Sequence, residues 1–109
     1  MAVTSTQVKN SASVMQVAVG SYITTSTAAA FDITIGFKPL WVRVVNETSG
    51  DMYEWYHGMA AAEAVKTVAA GTRSLITTLG ITQASNGFTV GLDEDVNVIS
   101  EQLSWMAIG

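Results

Sequence analysis

The chain has 109 residues, no cysteine, one histidine, and five Lys+Arg against nine Asp+Glu, for a net charge of −4. That is the length of a single domain. Its composition excludes disulfide frameworks, thiolate zinc sites, cysteine nucleophiles and sites built on two imidazoles, and argues against nucleic acid, which is held by basic side chains on phosphates.

Charged residues make up 13% of the chain, about half the usual share, and thirteen Thr and ten Ser supply the polarity instead. A surface so poor in charge points to burial against other chains. No apolar run approaches the roughly 20 residues that span a bilayer, and the N-terminus lacks the apolar stretch of a secretory signal. The expectation is a soluble protein made in a cytoplasm, with no membrane partner.

Met1–Ser13 is small and polar without apolar period, and reads as an arm, either free or ordered only on a neighbouring subunit. Period-two patterning starts at Val14. In Val14–Ile23, Met15, Val17, Val19 and Ile23 share one face of a strand. A small-residue connector, Thr24–Ala30, leads to Phe31–Phe37, where Phe31, Ile33, Ile35 and Phe37 point one way and Asp32, Thr34 and Gly36 the other. Lys38-Pro39 then bends the chain.

Leu40–Asn46 and Met52–His57, separated by the turn cluster Glu47–Asp51, read as a hairpin, with Leu40, Val42 and Val44 on one face. Gly58–Gly71 is ambiguous. Six alanines with Glu63 and Lys66 favour helix, yet Met59, Ala62, Val65 and Val68 step by three and drift off one helical face. A short helical turn or irregular excursion is expected there, with a strand edge at Ala64–Val68 the alternative.

Ser74–Thr78, Ile81–Gln83, Phe88–Leu92, Val96–Ser100 and Leu103–Ile108 read as further strands. Asn86-Gly87 is a hairpin signal, and Leu103, Trp105 and Ala107 align on one face. Seven or eight short antiparallel strands, punctuated about every ten residues, predict an all-β domain over residues 14–109. The expected form is a small jelly-roll-like β-sandwich.

Candidate chemistry is sparse. His57 is the only histidine, and so the only plausible acid–base residue at neutral pH. It lies beside Tyr53, Glu54, Trp55 and Tyr56, either in a ligand groove or at a strand edge. Asp93-Glu94-Asp95 with Asn97 could offer oxygens to calcium, but lacks the glycine and distal glutamate of an EF-hand loop and reads better as an acidic turn. Asn46-Glu47-Thr48 matches a glycosylation sequon by chance. No catalytic, cofactor or metal site is expected. Trp41, Tyr53, Trp55, Tyr56, His57 and Trp105 are the candidate interface residues, since large amphipathic aromatics serve cores, protein interfaces and sugar-stacking surfaces alike.

The strings Tyr53–Met59, Lys66–Arg73, Gly80-Ile81, Gly87–Gly91 and Trp105–Ile108 resemble small structural proteins of tailed-bacteriophage virions, over roughly Phe31 to Gly109. The resemblance implies a non-enzymatic decoration or cement protein, made in the host cytoplasm and carried on the virion. Such a protein binds the outer shell of major capsid protein as an oligomer, commonly a homotrimer. The same outline also resembles lectin-like trimeric modules of tail fibres, which attach to host carbohydrate.

Overall fold

The computed structural model describes residues 15–25 and 28–109. The arm Met1–Ser13 lies outside them. Eight strands follow in chain order: β1 (Val17–Ile23), β2 (Phe31–Thr34), β3 (Trp41–Asn46), β4 (Met52–Tyr56), β5 (Glu63–Thr67), β6 (Arg73–Ala84), β7 (Gly87–Val90) and β8 (Gln102–Ile108). All pair antiparallel in a single sheet of order β1-β8-β3-β4-β5-β6-β7-β2.

The expected two-sheet sandwich is therefore corrected to one strongly curled sheet, a half-barrel. The ladder runs unbroken between its two edge strands, and curling lets one face bury itself. Phe88 on β7 meets Trp105 on β8 edge to face at 5.5 Å, although the two strands stand far apart in the sheet order. Tyr22 on one edge strand stacks on Phe31 on the other at 4.2 Å. The concave face thus encloses a core of Val42, Val44, Tyr53, Trp55, Ala64, Ile81, Phe88, Val90, Leu103 and Ala107.

A bulge helps the sheet bend, and a glycine lets a ring pack on it. Opposite β6, the register jumps between Glu63 and Ala64, which face Ile81 and Ile76. The intervening residues of β6 form a bulge with Leu79 at φ 62°, a left-handed backbone that costs an L-residue about 1–2 kcal/mol. Bulges of this kind increase local twist and bend the strand. At β1, Gly20 is needed because a Cβ there would lie 2.6 Å from the Trp105 ring.

Several sequence expectations change. Gly58–Gly71, expected as a helical turn or irregular excursion, instead contains strand β5, close to the alternative strand at Ala64–Val68, with Ala64 fully buried between β4 and β6. Ser74–Thr78 and Ile81–Gln83 belong to the single long strand β6. Val96–Ser100 is a loop, not a strand. Val96 is fully buried there, covering the core as a plug outside the sheet ladder. The β6–β7 turn is Ser85–Asn86, and Gly87 already pairs with Ala84 as a strand residue.

A polar network holds that loop in place. Asn46 is fully buried at the end of β3. Its Nδ2 donates to the Val96 carbonyl at 2.9 Å and to Glu101 Oε1 at 2.8 Å. Its Oδ1 accepts from the Thr48 and Ser49 amides at 2.8 and 3.0 Å. Asn97 donates to the Ala29 carbonyl at 3.0 Å and accepts from the Tyr22 hydroxyl at 3.1 Å. The loop is thereby tied to both β3 and the β1–β2 connection.

Candidate docking face

Because side chains alternate across a strand, the registers place three rows of residues on the convex face. Val17, Ile108, Trp41 and Tyr56 form the first, across β1, β8, β3 and β4. Val19, Met106, Arg43, Glu54, Val65 and Leu75 form the second, which runs on through β5 to β6. Ser21, Ser104, Val45, Met52, Thr67 and Arg73 form the third.

This outer surface is mostly apolar. Val19 is 69% exposed and Leu75 60%, with Val17, Ile23 and Tyr56 each near half. A shallow depression of about 260 Å³ lies among Arg43, Val45, Ser104, Trp105 and Met106. Contiguous apolar patches on soluble proteins mark interaction surfaces.

Two opposite charges sit in the middle of the face. Arg43 and Glu54 are direct cross-strand neighbours, yet the Arg43 guanidinium donates to Met52 Sδ at 3.7 Å and Glu54 Oε2 accepts from the Tyr56 hydroxyl at 2.9 Å. Each head thus takes a neighbouring side chain, and not the other, as its partner.

Parity divides the candidate interface residues. Trp41 and Tyr56 stand side by side on the convex face, and exposed His57 follows at its rim. Tyr53 and Trp55 point inward and are almost fully buried, and Trp105 packs against the core from the same side. Tyr53 and Trp55 thus serve the core, and half-buried Trp105 also lines the depression beside Met106. The residues that sequence reasoning passed over are Met106, Val65 and Leu75. Their signal was an apolar side chain on the less uniform face of each strand.

The remaining candidates resolve into structural roles. The His57 ring's partner among the described residues is the Gln83 amide, at 3.3 Å. Asp93 and Asp95 converge on Lys66, with Nζ–O distances of 2.9 and 2.7 Å. Burial pulls the Lys66 ammonium down, but its hydrogen bonds to Asp95 and Asp93 outweigh that and hold its pKa above the ordinary value. Asp93 Oδ1 also accepts from the Asp95 and Val96 amides, closing the acidic turn on itself. Among the described residues no group of three His, Asp or Glu side chains could hold a metal. The sequon asparagine is the buried Asn46, whose amide nitrogen is already fully engaged.

A second concavity of about 330 Å³ lies over Leu92, Asn97, Val98 and Ile99. Burial raises the pKa of the Tyr53 phenol, reinforced by Asp93, Tyr22 and Asp95, and burial alone raises that of Tyr22. Compared with protein-family models, curated proteins and solved structures, the chain matches none.

Proposed function

We propose that this chain is a non-enzymatic structural protein of a tailed-bacteriophage virion, docking its convex face on the shell of major capsid protein and stabilising that shell. The observation that carries the reading is the apolar face spanning β1, β8, β3 and β4, with Arg43 and Glu54 at its centre. It has the anatomy of a protein interface, with aromatic and Met side chains inside and few charges. The resemblance of Tyr53–Met59 and the later strings to virion proteins supports the same reading. Many copies on a lattice would make modest contacts strong through multivalency.

The test mixes purified protein with undecorated capsids. Binding and a rise in shell melting temperature are expected, and Met106→Glu, which sets a charge in the middle of the face, should abolish both. Neither binding nor a melting shift in the wild type overturns the reading.

The pair of half-buried Trp41 and exposed Tyr56 favours a second reading, a carbohydrate-binding module of a tail fibre, since neighbouring aromatics at a surface can stack on sugar rings. A glycan array separates the two: a signal lost in Trp41→Ala, with no capsid binding, selects the carbohydrate module.

A further inference from the structure

Among the described residues, no strand pairs with the outer edge of β1. Gln16 and Gly109 exchange both main-chain hydrogen bonds, at 3.4 and 2.9 Å, in register with the β1–β8 ladder. Alternation along an antiparallel ladder then turns Ala18, Gly20 and Tyr22 toward β8. It directs the N–H and C=O of Val17, Val19, Ser21 and Ile23 to the open side. Among the described residues no strand is hydrogen-bonded there, and the start of β2 approaches through Phe31, whose ring stacks on Tyr22 on the concave side.

Proteins normally blunt such an edge with lysine, proline, a bulge or a very short strand. β1 has none of these. It is seven residues long, pairs with β8 without a register shift, and falls in a stretch with no charged residue between Lys9 and Asp32.

We infer that this edge pairs antiparallel with the same edge of a second copy of the chain. The two-fold axis passes through Gly20, so Val17 stands opposite Ile23 of the partner subunit and Val19 opposite Ser21 of the partner subunit. In that register all four edge-facing residues of each strand exchange main-chain hydrogen bonds. A second copy fits because the edge is self-complementary and carries no charge to repel its twin. The other free edge, β2, offers only four residues and carries Asp32. Pairing through β1 also joins the two convex faces into one apolar surface, with Val17 and Val19 of each copy at the seam. The assembly is a dimer, in place of the trimer implied by the resemblance. Strand-edge pairing buries less than a standard interface, so the dimer forms in a concentration-dependent way. The inference does not depend on capsid docking, and either can fail without the other.

Native mass spectrometry and light scattering from micromolar to millimolar protein test it. The wild type should shift from monomer to dimer. Val19→Lys and Val19→Pro should weaken association about tenfold or more. The proline removes a donor that faces the edge, which edge strands tolerate, so circular dichroism and melting should stay near wild type. A mixture of Val19→Cys and Ser21→Cys chains should form disulfide dimers on mild oxidation, well above either variant alone. That readout still decides if the lysine or proline variant fails to fold. A monomer at every concentration, a trimer, a dimer unaffected by both Val19 substitutions, or cross-linking no greater in the mixture overturns the inference.

Discussion

Asn46→Ala tests the account of how a single sheet closes its own core. The side chain is fully buried and makes four hydrogen bonds, two as donor and two as acceptor. Truncation leaves the Val96 carbonyl without its partner beside a buried valine, and frees Glu101 and the Thr48 and Ser49 amides. The turn amides lie nearer solvent and can rehydrate. The loss is therefore dominated by the Val96 carbonyl and the charge-assisted bond to Glu101, together about 2–4 kcal/mol. Against a total stability of roughly 5–15 kcal/mol, with about 4 °C of melting temperature per kcal/mol at this size, the variant should melt on the order of 10 °C lower.

Asn46→Asp sharpens the test. It keeps both acceptor contacts but sets a carboxylate against the Val96 carbonyl and Glu101, where the amide had donated. At neutral pH it should be at least as unstable as the alanine variant. Burial beside Glu101 raises the new carboxyl's folded pKa, so the gap to wild type should narrow as pH falls from neutrality toward the ordinary carboxyl value of roughly 4, the carboxyl protonating and regaining a donor. Urea denaturation at several pH values measures both effects. An alanine variant within about 0.5 kcal/mol of wild type, the range of ordinary surface substitutions, would refute the idea that this network holds the plug loop.

Alkaline sensitivity should be marked. The phenols of Tyr53 and Tyr22 and the Lys66 ammonium all have folded pKa values above their ordinary ones of 10.0, 10.0 and 10.5. Their protonated forms are favoured by the fold, so stability is intact below pH 10 and declines as pH climbs past it. Tyr53→Phe removes one of these titrations at the expense of the 2.8 Å hydrogen bond to the Leu79 carbonyl. Its denaturation midpoint should fall less steeply between pH 9 and 11 than that of wild type; an equal slope contradicts the assignment. Leu79→Gly should be neutral or stabilising by about 1 kcal/mol, because it relieves a left-handed backbone while losing a half-exposed side chain. A thermal melt showing clear destabilisation would mean that the leucine side chain itself holds the bulge.

Much of the strand layout was legible from local pattern. The first half of Phe31–Phe37, as far as Thr34, the Leu40–His57 hairpin and Leu103–Ile108 yielded strands, because alternation and turn residues act over a few positions. Gly58–Gly71 was not legible. Helix propensity there is a local preference, overridden when Ala64 fits the core between β4 and β6 and Lys66 reaches across to Asp93 and Asp95. The candidate interface was half visible for the same reason: period two separates Trp41 and Tyr56 from the faces of Tyr53, Trp55 and Trp105, but does not say which face is covered.

Residue order alone therefore determined an all-β chain with little charge and two chemically distinct faces on most strands. Only the tertiary structure decided that one sheet curls on itself, that Val96 and Asn46 close its end, and that the valines of β1 face outward. Those outcomes depend on contacts between residues far apart in sequence, such as Phe88 with Trp105 and Tyr22 with Phe31. A period-two pattern carries no information about which distant strand will fill the space beside it.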